Sequence, residues 1–241
     1  MYKIRQGFTI IELVLVMAIT GLVVAVILAG IGVSLRAERY RDATNQTINF
    51  FQGVYSSTAN IANDRPTGNT CSAAGISIDD GGEGRGTSDC LLLGYVLRSV
   101  NGREIVSRQV IARVDVSKTE GADEDTESQN FVDSNLVAVG DQSNRYTLDW
   151  GSSLINNSGD PVSFTLLVIR APLSGVIRTY YNLSSGTASL NSLIASPPAA
   201  DARFCIDPSG VFDIGIRPNG FIIDRKATNS TGVRQLAAGT C

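Results

Sequence analysis

The sequence predicts an α+β protein, a long N-terminal α-helix packed on an antiparallel β-sheet, and three observations lead there. From Leu13 to Leu35 no residue is charged, and as a helix these 23 residues extend about 35 Å, enough to span a bilayer. Ile48, Phe51, Tyr55 and Ala59 then recur at i, i+3, i+4 spacing, with Phe50 and Val54 widening the stripe. That spacing continues the helix amphipathically to about Ala62 or Asn63. From Leu91 onward, short β-branched runs alternate with turn residues, the signature of strands. With 241 residues, 43% of them apolar, the chain holds one ordinary domain plus an accessory segment.

The N-terminal segment comes first. Lys3 and Arg5 precede the apolar run and place the N-terminus in the cytoplasm by the positive-inside rule, with the remainder outside. A secretory signal peptide has an apolar core of about 7–15 residues and a small-residue exit, and this run is longer and lacks such an exit. Glu12 is the odd residue, because a carboxylate near the middle of a membrane costs about 2.5–3.5 kcal/mol on insertion scales. At the interface, beside the positive end of the helix dipole, it would cost little. Gly21, Gly30 and Gly32 punctuate the same helix and suit close helix packing.

Gly7-Phe8-Thr9-Ile10-Ile11-Glu12-Leu13, preceded by a short basic leader and followed by the apolar run, resembles the cleavage and methylation motif of type IV prepilins and pseudopilins. The resemblance implies that a prepilin peptidase cuts after Gly7 and N-methylates Phe8, so that Glu12 becomes the fifth residue of the mature chain. It implies residues 1–7 as leader, 8–35 as the transmembrane and filament-core helix, and 36–241 as an extracytoplasmic pilin-like domain. It also gives Glu12 an assembly role, pairing with the N-terminal amine of a neighbouring subunit so that two buried charges compensate each other. Where many members carry a proline that lets the helix partly melt, this chain has Ala29, followed by Gly30 and Gly32.

Beyond the apolar run, Arg36, Glu38, Arg39, Arg41 and Asp42 form a mixed-charge collar, and Asp64-Arg65-Pro66 with Gly68 marks the end of the helix. Strands are expected at Leu91 to Arg98, Glu104 to Val116, Val162 to Arg170, Val176 to Tyr181, around Phe204, at Val211 to Ile216 and at Phe221 to Arg225. Asn101-Gly102 is a hairpin turn, and Pro208-Ser209-Gly210 and Pro218-Asn219-Gly220 read as turns. The stretch from Cys205 to Phe212 resembles a C-terminal pattern of minor pilins and pseudopilins of the type II secretion H class; an ordinary proline-glycine hairpin is the alternative. Ser77 to Asp89 and Glu120 to Glu127 are acidic and read as solvated loops. Calcium is the alternative ligand for them, although neither has EF-hand spacing.

Cys71, Cys90, Cys205 and Cys241 fall into two sequence-local pairs, and an external location permits Cys71–Cys90 and Cys205–Cys241 disulfides among three formal pairings. A four-thiolate zinc site is the alternative, but no C-x-x-C pair exists, so no metal or other cofactor is expected.

The function is read as structural. The chain has no histidine, which excludes Ser-His-Asp and Cys-His catalysis, and no carboxylate pair is placed at a catalytic separation, so an enzyme is not expected. The resemblance implies a pilin or pseudopilin subunit, most simply a minor one, held by membrane lipid until an inner-membrane assembly platform extracts it into a periplasmic or cell-surface filament with other subunits. The alternative is a tip-located module that binds DNA, a surface or secreted cargo. For DNA the charge is unfavourable: the mature chain would carry 18 basic and 23 acidic residues. Arg225, Lys226 and Arg234 form the one small basic patch expected to serve it.

Overall fold

A computed structural model describes residues 9–61, 69–72, 75–78, 90–113, 137–156, 158–171, 174–207, 218–237 and 239–241. The first element, α1 (Ile10–Ala59), is one unbroken helix of 50 residues, about 75 Å long at 1.5 Å per residue. It ends at Ala59, a few residues before the expected end. Asn60 stops it by turning its backbone N–H and its side-chain amide back onto the Ser56 carbonyl, at 3.1 and 3.2 Å.

The described strands form three antiparallel sheets. A five-stranded sheet has the order β5 (Val137–Thr147), β4 (Glu104–Arg113), β3 (Cys90–Ser99), β7 (Phe164–Arg170), β8 (Ile177–Asn182). A four-stranded sheet has the order β11 (Val233–Gln235), β10 (Asn219–Ile223), β9 (Ala202–Asp207), β6 (Ser153–Ile155). A two-stranded ribbon joins β1 (Asn69–Ser72) to β2 (Gly75–Ile78). The β2 strand corrects the reading of Ser77 as loop: it pairs with Thr70 in the ribbon. The expected strand at Val211 to Ile216, the Pro66 and Pro208 turns and the acidic stretch Glu120 to Glu127 lie outside the described residues.

The β3–β4 hairpin follows from its turn residues. Asn101 accepts the backbone N–H groups of Arg103 and Glu104 on its side-chain oxygen, at 3.0 and 3.2 Å. Gly102 has φ +69°, and a Cβ there would lie 2.3 Å from the Leu154 carbonyl, so only glycine fits. Asn219 and Gly220, expected in a turn, are instead the first residues of β10, opposite Ile206 and Cys205. The glycine is needed there for space, because an added Cβ would lie 2.3 Å from the Phe204 carbonyl and 2.5 Å from Cys241 Sγ.

The lower half of α1 and the two large sheets enclose one core. Tyr40, Ile48, Phe51, Val54 and Tyr55 meet Leu97, Ile105, Leu166 and Val168 from one sheet and Phe204, Ile206, Phe221 and Ile223 from the other. Phe51 is at its centre, with ring centroids 4.9 Å from Phe221 and 5.8 Å from Phe204. The far face of the five-stranded sheet is covered by a short helix, α2 (Leu190–Ala195), whose Leu190, Leu193 and Ile194 pack with Val96, Leu167 and Ile169. Strand β7 is therefore buried on both faces, which is why its sequence Phe164-Thr165-Leu166-Leu167-Val168-Ile169 runs apolar instead of alternating.

The helix is locked to the sheets by buried hydroxyls. Tyr40 donates to the Ile206 carbonyl at 2.7 Å and accepts from the Asn219 backbone N–H at 2.6 Å. Higher up, Thr47 bonds Tyr146, Gln52 bonds the Val233 carbonyl, and Tyr55 bonds Thr179 at 2.8 Å. Burial raises the phenol pKa of Tyr40, Tyr55 and Tyr146, so all three stay neutral donors.

Candidate functional site

The N-terminal half of α1 has none of this cover. Among the described residues nothing buries the most apolar stretch of the helix, and Ile10, Leu13, Met17, Leu22, Val26 and Leu28 are each more than half exposed. This is an apolar helix surface long enough to cross a membrane. Even its hydroxyls suit hydrocarbon: Thr20 donates to the Val16 carbonyl at 2.8 Å, so its O–H is satisfied within the helix. Around Gly21, Gly30 and Gly32 an added Cβ would meet nothing within 4 Å, leaving three shallow places for another helix to approach.

Glu12 is the only ionisable side chain of α1 before Arg36, and the helix start is built around it. Thr9 is the N-cap, in extended conformation, and its Oγ1 accepts the Glu12 backbone N–H at 3.3 Å. Glu12 Oε2 accepts in return from the Thr9 backbone N–H and hydroxyl, both at 3.1 Å. This is a capping box, which satisfies orphan backbone donors and sets a negative charge on the positive end of the helix dipole. Both bonds use Oε2, and a carboxylate has two acceptor oxygens. Thr9 was not singled out from the sequence, although the Thr-x-x-Glu spacing at 9–12 carries the signal.

Compared with known families, residues 2–28 match the one described as "Prokaryotic N-terminal methylation motif". The chain carries a prepilin-type N-terminal methylation motif. Neither the comparison with curated proteins nor that with solved structures gave a match. The matched stretch ends at Leu28 and contains the capping box and most of the exposed apolar helix. The long apolar helix and the antiparallel sheets follow the expected α+β, pilin-like arrangement. The helix is long and apolar enough to serve as a membrane anchor.

Of the other residues singled out from the sequence, Gly7 and Phe8 lie outside the described residues. Cys71 lies in β1 and Cys90 in β3, with side chains outside the described set. Cys205 in β9 is bonded to Cys241, with Cα atoms 5.6 Å apart. The bond ties the last residue of the chain to the four-stranded sheet, and Arg203 adds a contact to the Thr240 carbonyl at 3.4 Å. Arg225, Lys226 and Arg234 share one end of that sheet. Arg234 is ion-paired with Asp224, and Arg225 holds the Ala199 carbonyl through its guanidinium and Asp201 through its backbone N–H. Two of the three charges thus have anionic or carbonyl partners within the domain. Among the described residues no group of three Asp, Glu or Cys side chains converges as a metal site would require.

Proposed function

We propose that the chain is a subunit, a minor pilin or pseudopilin, of a type IV pilus-like or type II secretion filament. Prepilin peptidase removes residues 1–7 and N-methylates Phe8, the sheets face away from the cytoplasm, and the apolar half of α1 is stored in lipid until an assembly platform moves it into a helical bundle. The observation that carries this reading is the pairing of a motif-bearing N-terminus with an apolar helix that none of the described residues covers.

Glu12 is the assembly residue in this reading. Its Oε2 keeps the capping box, and its Oε1 is the atom offered to the new amine at Phe8 of a neighbouring subunit. A carboxylate and an ammonium buried together cost far less than either alone, so the pair fixes the axial offset between subunits. The test is the mass of the N-terminal peptide from cells that contain a prepilin peptidase. A peptide starting at N-methylated Phe8 is expected; an intact Met1 start would refute processing and remove the amine on which the role of Glu12 depends.

A further inference from the structure

Trp150 is the chain's single tryptophan, and it lies in a 3₁₀ turn, Asp149–Gly151, with φ 57° and ψ 24°. Among the described residues no other non-glycine residue has positive φ. A left-handed backbone costs an L-residue roughly 1–2 kcal/mol, and such an outlier points toward function. Burial of the indole would be the ordinary offset, yet the residue is 47% exposed. The Arg39 guanidinium lies over its ring, 4.7 Å from the centroid.

The order of contacts along α1 gives the level of this turn in the molecule. Starting from the N-terminal half, the helix meets Trp150 at Arg39, then Ile206 and Asn219 at Tyr40, Tyr146 at Thr47, Val233 at Gln52, Thr179 at Tyr55 and Arg170 at Ala59. Among the described residues that α1 meets, Trp150 is thus the one nearest the apolar half. Arg39 follows Leu35, the last residue of the uncharged run, by four positions, about 6 Å of helix. A hydrocarbon core takes about 20 helical residues, so a run ending at Leu35 puts Arg39 and the ring above it at headgroup depth. Indole and guanidinium are suited to that layer: the ring leaves water, while its N–H and the cation stay hydrated.

We propose that the Asp149–Gly151 turn is a membrane-docking foot, in which Trp150 and Arg39 seat in the phospholipid headgroup layer and hold the globular domain against the bilayer that α1 spans. This rests on the reading of α1 as a membrane anchor, and the foot belongs to the unassembled subunit. Because there is one tryptophan, the unmodified full chain reports on itself. The protein is reconstituted in phosphatidylethanolamine and phosphatidylglycerol vesicles, and flotation is measured alongside tryptophan emission.

In floating samples, lipid brominated near the headgroup end of its acyl chains should quench Trp150 more than lipid brominated near the methyl end, and aqueous acrylamide should quench it less than in the urea-unfolded chain. Full access to acrylamide without quenching by either lipid would overturn the foot. Stronger quenching by the deep bromines would do the same, as would shielding from acrylamide with no lipid quenching, which would mean that a second subunit covers the ring. Failure to float would overturn the anchor reading itself, and the foot with it.

Discussion

Replacing Tyr40 with Phe removes one oxygen and breaks two bonds that join α1 to the four-stranded sheet. The side chain is 2% exposed, and its hydroxyl lies 2.7 Å from the Ile206 carbonyl and 2.6 Å from the Asn219 backbone nitrogen. In Tyr40→Phe the Ile206 carbonyl is left in an apolar core, at a cost of about 1–3 kcal/mol, and the partly buried Asn219 N–H adds about 1 kcal/mol. The total, about 2–4 kcal/mol, corresponds to a fall in Tm of roughly 5–15 °C for a chain of this size. Tyr55→Phe is the matched control. The Tyr55 hydroxyl bonds Thr179 Oγ1, but Thr179 keeps its own donor satisfied on the Ala227 carbonyl at 2.9 Å, so about 1 kcal/mol is expected. Thermal unfolding of both full-length variants in the same detergent micelle, followed by circular dichroism, gives the comparison. If Tyr40→Phe melts at or above Tyr55→Phe, the two-sided role of the Tyr40 hydroxyl is wrong.

Opening the Cys205–Cys241 bond, which closes a loop across 36 positions, should cost about 3–4 kcal/mol, read as a lower denaturation midpoint for Cys205→Ser/Cys241→Ser and faster amide exchange in β10 and β11. Gly220→Ala should destabilise by more than about 2 kcal/mol, because its Cβ would overlap the Phe204 carbonyl and Cys241 Sγ; an unchanged midpoint would show that β10 can shift freely. Glu12→Ala should still insert in membranes yet enter filaments poorly, scored by fractionation and sheared-filament blots, and normal incorporation would end the assembly role. At alkaline pH the Tyr181 phenol, pushed up to about 12 by burial first and by Asp201 next, stays neutral in the fold while the unfolded chain ionises near pH 10. Its stabilising effect is therefore complete below about pH 10 and is lost as pH rises toward about 12, which denaturation midpoints and phenolate absorbance would follow together.

The helix was legible because its two signals are local: an uncharged run, then a stripe at i, i+3, i+4. The β3–β4 hairpin was legible for the same reason, since Asn101 and Gly102 act on their immediate neighbours. The division into separate sheets was not, because β9 finds β6 about fifty residues away, and no short window of sequence carries that pairing. Asn219-Gly220 shows the limit most plainly. Composition reads it as a turn, while the glycine is there to admit a carbonyl and a sulfur from distant parts of the chain. At the N-terminus the motif residues could be read off, but the reciprocal bonds of Thr9 and Glu12 were missed although their spacing is local. Trp150 could not be placed from sequence at all, since its level in the molecule depends on Arg39, more than a hundred residues earlier.

The unbroken course of α1 through Gly30 and Gly32 transmits rotation as well as thrust. Each residue advances the helix 1.5 Å and turns it about 100°, so the compass bearing of the Glu12 carboxylate is set by which side of the helix the sheets occupy, some thirty residues away. One residue inserted between Leu22 and Leu35 would preserve the apolar run and the capping box, yet swing that carboxylate through about 100° relative to the folded domain, so that charge and sheets could no longer meet their neighbours at the same time.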